Sequence, residues 1–162
     1  MTSDWTAQAK GAGQYAEVNG INLYYETHGS GRPLILLHGG LGSGEMFGPL
    51  LPALAAGHQV IAVDLQGHGR TADIDRPITV QNMADDIAAL ITHLGLDKPD
   101  VMGYSLGGGV AFWTAVKVPT PTCSRRAIRS RCSSCLVAAS VTAAGWAKAG
   151  QTADTRSRSS RV

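Results

Sequence analysis

Hydrophobic positions change period along this chain, and each change predicts an element. From Ile21 to Thr27, Ile21, Leu23 and Tyr25 alternate with Asn22, Tyr24 and Glu26, the pattern of a strand with one buried face. Gln14–Val18 precedes it across Asn19-Gly20, a strong two-residue hairpin signal, so the chain is predicted to open with an antiparallel pair. After the turn His28-Gly-Ser-Gly31 the pattern becomes continuous. Pro33–Leu37 and Gln59–Val63 are unbroken apolar runs, as expected of strands covered on both faces in a parallel sheet. Between them, Met46–Ala56 predicts a short helix made irregular by Pro49 and Pro52. From Thr79 to Leu94 the period is helical: Met83, Ile87, Leu90, Ile91 and Leu94 fall on one face, with Thr79 placed to cap the start and Gly95 to end it. Pro99–Tyr104 then predicts a strand and Leu106–Val118 a helix. This order gives an α/β fold with a mostly parallel sheet and an N-terminal antiparallel hairpin.

Charge changes the picture after Pro119. Residues 1–119 carry six Lys/Arg and eleven Asp/Glu, whereas residues 120–162 carry eight Lys/Arg and one acid, Asp154. The whole-chain balance of +2 conceals this break. Large apolar residues thin out to Ile128, Leu136, Val137, Val141, Trp146 and Val162, so no further buried strand is expected. The reading is therefore a disordered 1–13, a folded 14–119 and a basic, poorly structured tail at 120–162. An out-of-frame reading of a GC-rich gene from about codon 119 would produce such a tail. Its loss of a strand neighbour would leave the Pro99–Tyr104 strand as an apolar edge open to self-association. All three cysteines, Cys123, Cys132 and Cys135, lie in the tail without the second pair or histidines of a zinc site, and read as incidental thiols. Met1–Gly13 lacks the charged start and apolar run of a signal peptide, and no segment has the length of a membrane span, so a cytoplasmic protein is expected. A basic tail could bind an acidic partner as a non-catalytic interaction module. The clusters Arg125–Arg131 and Arg156–Arg161 have no interleaved aromatics, which argues against nucleic acid.

Candidate chemistry lies where the predicted parallel strands end, the edge on which open α/β sheets place their working groups. Gly103-Tyr104-Ser105-Leu106-Gly107 joins a strand to a helix, and the turn would push Ser105 outward. Gly103 and Gly107 leave room where a Cβ would strike the neighbouring strand or helix. A serine alcohol is a weak nucleophile and needs a base, and acyl transfer also needs two N–H groups aimed at the developing oxyanion. Leu106, the residue after the serine, would supply one, and the loop His38-Gly39-Gly40-Leu41-Gly42 the other, from Gly40 or its neighbour Leu41. His38 itself reads as a residue that structures this loop. Asp64, at the end of the next strand in Asp64-Leu-Gln-Gly-His-Gly-Arg-Thr71, reads as a hydrogen-bonded loop anchor beside the site, with a catalytic or metal-ligating role as the alternative. His28, His58 and His93 read as surface residues. No cofactor or metal is called for. None of the five histidines follows Ser105.

Leu36-Leu-His-Gly-Gly40, Val63-Asp-Leu-Gln-Gly-His-Gly-Arg70 and Gly103-Tyr-Ser-Leu-Gly-Gly108, in this order, resemble the α/β-hydrolase superfamily, in particular its esterase, lipase and cofactor-free peroxidase-like branch. The resemblance covers residues 14 to about 119. It implies Ser105 as nucleophile, Leu106 and Gly40 as oxyanion donors and a small acyl compound as substrate. Epoxide hydrolases and haloalkane dehalogenases of the same fold place Asp at the elbow, so Ser105 argues against them. The resemblance also implies a catalytic acid and a histidine later in the chain. Residues 106–162 offer only Asp154 and no histidine, so this chain is expected to be catalytically impaired.

Overall fold

The computed structural model describes residues 13–117 and the strand Leu136–Ser140. β1 (Gly13–Val18) and β2 (Ile21–His28) form the antiparallel hairpin, with Asn19 and Gly20 both at positive φ in its turn. β3 (Arg32–Leu37), β4 (His58–Val63) and β5 (Asp100–Tyr104) are the parallel part, and β6 is Leu136–Ser140. The helices are α1 (Leu51–Ala55), α2 (Val80–His93) and α3 (Leu106–Lys117). The six strands lie in the order β1-β2-β4-β3-β5-β6. β2 runs antiparallel to β4, β3 is parallel to both β4 and β5, and β6 is antiparallel to β5.

The continuous apolar runs are explained by cover on both sides of the sheet. Ile35, Leu37, Ile61 and Val63 point into a core shared with Met83, Ile87, Leu90 and Ile91 of α2 and Val110 and Ala111 of α3. Their alternates Leu34, Leu36, Val60 and Ala62 pack with Phe47 and Leu51 on the opposite face. Each fully buried Leu or Ile contributes about 1.5–3 kcal/mol, so the two strands at the centre of the sheet fix the layer arrangement. Thr79 Oγ1 accepts from Asn82 N at 3.1 Å at the start of α2, and Gly95 follows its end at φ +60.

Four expectations change. The span Met46–Ala56 is two pieces, a 3₁₀ turn at Gly44–Phe47 and the short α1, because Pro49 and Pro52 have no N–H to donate to a continuous ladder. Tyr24 is buried as well as its alternates, since the segment after β4 covers the second face of β2: Tyr24 N donates to Thr71 Oγ1 at 2.9 Å and the Arg70 guanidinium lies 4.1 Å from the ring. His28 is buried too, because β2 extends one residue into the expected turn and pairs there with β4, His28 facing Val60 in the register. Finally, β5 does not form the sheet edge. β6 pairs with it from Asp100–Ser140 to Tyr104–Leu136, a contact made by main-chain groups that requires no apolar alternation in the tail. The rest of the expected tail lies outside the described residues, as do residues 1–12 of the expected disordered 1–13, whose last residue, Gly13, opens β1. Among the described residues no helix is long and apolar enough to cross a membrane.

Candidate functional site

The carboxyl ends of β3, β4 and β5 bring three segments together. Ser105 stands alone between the last residue of β5 and the first of α3, exposed and at φ +51. A non-glycine residue in this region is strained, and here the strain turns the side chain out of the sheet edge. Two close backbone approaches enforce the turn. A Cβ on Gly103 would overlap the carbonyl of Gly107, and a Cβ on Gly107 would overlap the carbonyl of Leu37. Gly107 N donates to His38 O at 3.0 Å, which ties the first turn of α3 to the end of β3. Leu106 opens α3, so its N–H lies outside the helix ladder, at the positive end of the helix dipole. Tyr104, at the end of β5, is 37% exposed beside the serine.

The loop after β3 lies against this elbow. A Cβ built on Gly39 would stand 2.9 Å from the Tyr104 ring and 3.5 Å from the Ser105 Cβ, which places the Gly39 backbone next to the serine. Gly42 N closes a turn onto Gly39 O at 3.2 Å, with Leu41 in its third position at φ +61. That is the pattern of a type II turn, whose third position favours glycine, and the Leu41 side chain is fully exposed. Gly40 occupies the second position, so its N–H takes no part in the bond that closes the turn.

His38 is fully buried and both ring nitrogens are engaged: Nδ1 lies 2.7 Å from Gly39 O, and Nε2 accepts from Leu65 N at 2.9 Å. Leu65 N–H can only donate, so Nε2 is unprotonated and Nδ1 carries the hydrogen that reaches Gly39 O. Burial holds the imidazole below its usual pKa, partly opposed by the bond to Gly39, so the ring is neutral at pH 7. The sequence singled out His38 as a loop residue, and in this arrangement neither nitrogen is left to take a proton from Ser105.

Asp64 is fully buried and does not face Ser105 through a free oxygen. Its Oδ1 accepts from Gly44 N at 2.7 Å, and its Oδ2 accepts from Arg70 N at 2.9 Å and Arg70 Nε at 2.8 Å. Burial alone would raise its pKa. The hydrogen bonds from the Arg70 side chain and from the Gly44 and Arg70 amides outweigh it and hold the carboxyl below the usual range. Arg70 also reaches Glu26 Oε1 at 2.9 Å. Tyr24 donates to the same oxygen at 2.8 Å; burial and this bond push its hydroxyl up to about 12. Sequence reasoning missed Arg70, Glu26, Tyr24 and Thr71 as parts of this assembly. The one available signal was an acid and a base six residues apart in a glycine-rich loop, since Glu26 joins only through the pairing of β2 with β4. Among the described residues no group of three His, Cys, Asp or Glu side chains is placed to hold a metal ion.

Comparison with known proteins gives this geometry a context. The family model for the alpha/beta hydrolase fold matches residues 32–141, from the start of β3 past β6. The chain is 45% identical over 103 residues to a soluble epoxide hydrolase of Corynebacterium sp. (strain C12), covering 62% of this chain and 35% of that protein. It is 40% identical over 106 residues to a putative carbamate hydrolase, RutD, of Azorhizobium caulinodans, covering 65% and 40%. Among solved structures, a malate-bound thermophilic esterase from Thermogutta terrifontis superposes with a TM-score of 0.60 at 34% identity, covering 65% of this chain and 40% of that one. The chain thus spans well under half the length of these relatives.

Proposed function

The chain belongs to the alpha/beta hydrolase family, and from that premise we propose a serine hydrolase by descent that acts on a small ester or related acyl compound. Ser105 is the nucleophile, and the N–H groups of Leu106 and Gly40 receive the oxyanion. The observation that carries this reading is the exposed Ser105 at φ +51, set between β5 and α3 with the Gly39 backbone against it. A serine rather than an aspartate at this turn favours acyl transfer over the epoxide chemistry named for one of the relatives. The alcohol attacks a carbonyl carbon, the carbonyl oxygen takes the negative charge, and each of the two N–H donors is worth about 3–4 kcal/mol there.

Proton transfer is the incomplete part. Residues 106–162 contain no histidine, and the buried ring of His38 is committed at both ends. The isolated chain therefore keeps only what binding and the oxyanion donors supply, about 10³–10⁴ over the reaction in water. The test is intact-mass labelling with a fluorophosphonate alongside turnover of a p-nitrophenyl ester. Slow modification confined to Ser105 and abolished in Ser105→Ala, with negligible turnover, is the expected result. No modification of Ser105 at any reagent concentration would defeat the nucleophile assignment, and fast Ser105-dependent turnover would defeat the impairment.

A further inference from the structure

We propose that Met46 is an oxidisable contact of the Ser105 site: a hydroperoxide converts its thioether to the sulfoxide, which frees the Gly39 backbone and slows attack by the serine. The effect on Ser105 rests on the acyl-transfer reading above; the modification and its effect on Gly39 do not. Met46 is 43% exposed, whereas Met83 is fully buried in one core and Met102 packs against the other. Among the described methionines it is the one that a solute reaches. Its place is fixed, because the turn Gly44–Phe47 is tied at one end by Gly44 N to Asp64 Oδ1 and at the other by the buried Phe47 side chain. Met46 N also donates to Ser43 O at 3.1 Å.

What the sulfur touches makes the exposure consequential. Sδ accepts from Gly39 N at 3.4 Å, and a Cβ built on Gly42 would stand 3.7 Å from it, so the sulfur lies against both ends of the turn Gly39–Gly42. The Gly39 backbone lies in turn against the Tyr104 ring and the Ser105 Cβ. A chain of contacts therefore runs from the thioether to the elbow, and its first link is a weak one, since a thioether is a poor acceptor. In the oxidation a sulfur lone pair attacks the terminal oxygen of the hydroperoxide. The O–O bond breaks as the S–O bond forms, and the departing oxygen takes the proton and leaves as an alcohol, or as water from hydrogen peroxide. Sulfur gives up an electron pair and the peroxide receives it. The product is polar where the thioether was apolar. An N–H···O bond alone needs about 2.9 Å, so an added oxygen cannot enter a 3.4 Å N···S contact without pushing Gly39 and Met46 apart. A sulfoxide that turns into water instead leaves the Gly39 N–H without its acceptor. Either way the Gly39 backbone loses a tie that holds it beside Ser105.

The test treats the full chain with limiting hydrogen peroxide after the thiols of Cys123, Cys132 and Cys135 have been blocked by alkylation. Peptide mass mapping is expected to find the added oxygen at Met46 well before Met83 or Met102. In the ¹⁵N-labelled protein the Gly39 amide is expected to shift and to exchange its hydrogen faster after oxidation, while the amides of α2 stay unchanged. Labelling of Ser105 by the fluorophosphonate is expected to slow about tenfold, part of the 10²-fold that a 1 Å misplacement can cost, and to recover when methionine sulfoxide reductases remove the oxygen. Met46→Leu has no sulfur to oxidise, so peroxide should leave its labelling rate where it was. Oxidation of Met46 no faster than that of Met83, or a Gly39 amide unmoved by it, overturns the proposal whatever the serine does. A labelling rate that oxidation does not change, or that falls equally in Met46→Leu, overturns the effect on the site. If the untreated chain is not labelled at all, the acyl-transfer reading fails, while the mass map and the Gly39 amide still decide the modification.

Discussion

The centre of the sheet and its carboxyl edge are built from different materials. At the centre, β3 and β4 present Leu34 to Leu37 and Val60 to Val63, aliphatic side chains that alternate between two cores. At the edge a few residues on, the contacts are made by backbone and by buried polar groups: Gly107 against Leu37 O, Gly107 N on His38 O, Asp64 on Gly44 N, and His38 between Gly39 O and Leu65 N. The centre is held by area removed from water, which is non-directional and tolerates shape changes. The edge is held by fixed distances between main-chain groups, which do not. A single methyl group should therefore cost far more at the edge than at the centre.

The sharpest way to break this contrast is to add a methyl at the edge and remove one at the centre. Gly107→Ala sets a Cβ into the carbonyls of Leu37 and His38, which are backbone atoms of β3 and its exit and cannot rotate away. Overpacking against backbone is expected to cost about 3 kcal/mol or more, the upper end of such changes. Ile61→Val, which removes a methyl from a fully buried residue in the middle of β4, is expected to cost about 0.5–1.5 kcal/mol. Urea unfolding of both variants checks the pair. An Ile61→Val loss that equals or exceeds that of Gly107→Ala would erase the distinction.

The buried carboxylate ranks next. Removing the charge in Asp64→Asn leaves the Arg70 guanidinium without its partner and weakens the bonds to Gly44 N and Arg70 N. Breaking a fully buried pair costs about 3–5 kcal/mol. The Arg70 side chain is 32% exposed and solvent screens it, so a loss of about 2 kcal/mol is expected. The pH dependence carries the same signature with a definite sign. The native carboxyl titrates below its ordinary value of 3.8, so its contribution is present above pH 3.8 and is lost as the pH falls through the lower native value. Below pH 4 the stability of the natural chain should drop towards that of Asp64→Asn, whose own profile should be flatter there. Parallel profiles for the two proteins would show that Asp64 contributes nothing through its charge.

The same division explains what could be read in the sequence. Periodicity reports burial, so β1 to β5, α2 and α3 were legible within a residue or two at their ends. Ser105, Gly103 and Gly107 were legible because a strand-to-helix turn of this kind admits few residue types. What stayed hidden depends on pairing distant segments. Glu26 meets Arg70 across 44 residues, and Tyr24 is covered by a loop that arrives after β4. β6 was hidden for another reason: its pairing is made by main-chain groups, which leave no mark in the order of side chains. His38 shows the limit in one residue, since its type and place were plain while the two bonds that fix its tautomer belong to the fold.

Gly40→Ala is expected to have the smallest effect and tests the contrast from the other side. Gly40 sits among glycines at the same edge, yet a Cβ there would meet nothing within 4 Å, and its φ is not in the left-handed region. If the edge were uniformly intolerant, this substitution would cost as much as Gly107→Ala. If intolerance belongs only to positions where backbone meets backbone, alanine should be accepted. By narrowing the freedom of the unfolded chain it is then expected to add up to about 0.5 kcal/mol of stability. A thermal unfolding midpoint unchanged or slightly raised would confine the rigid part of the edge to the Gly39 carbonyl and the elbow. A loss of more than about 1 kcal/mol would mean that the loop is packed more tightly than its contacts imply.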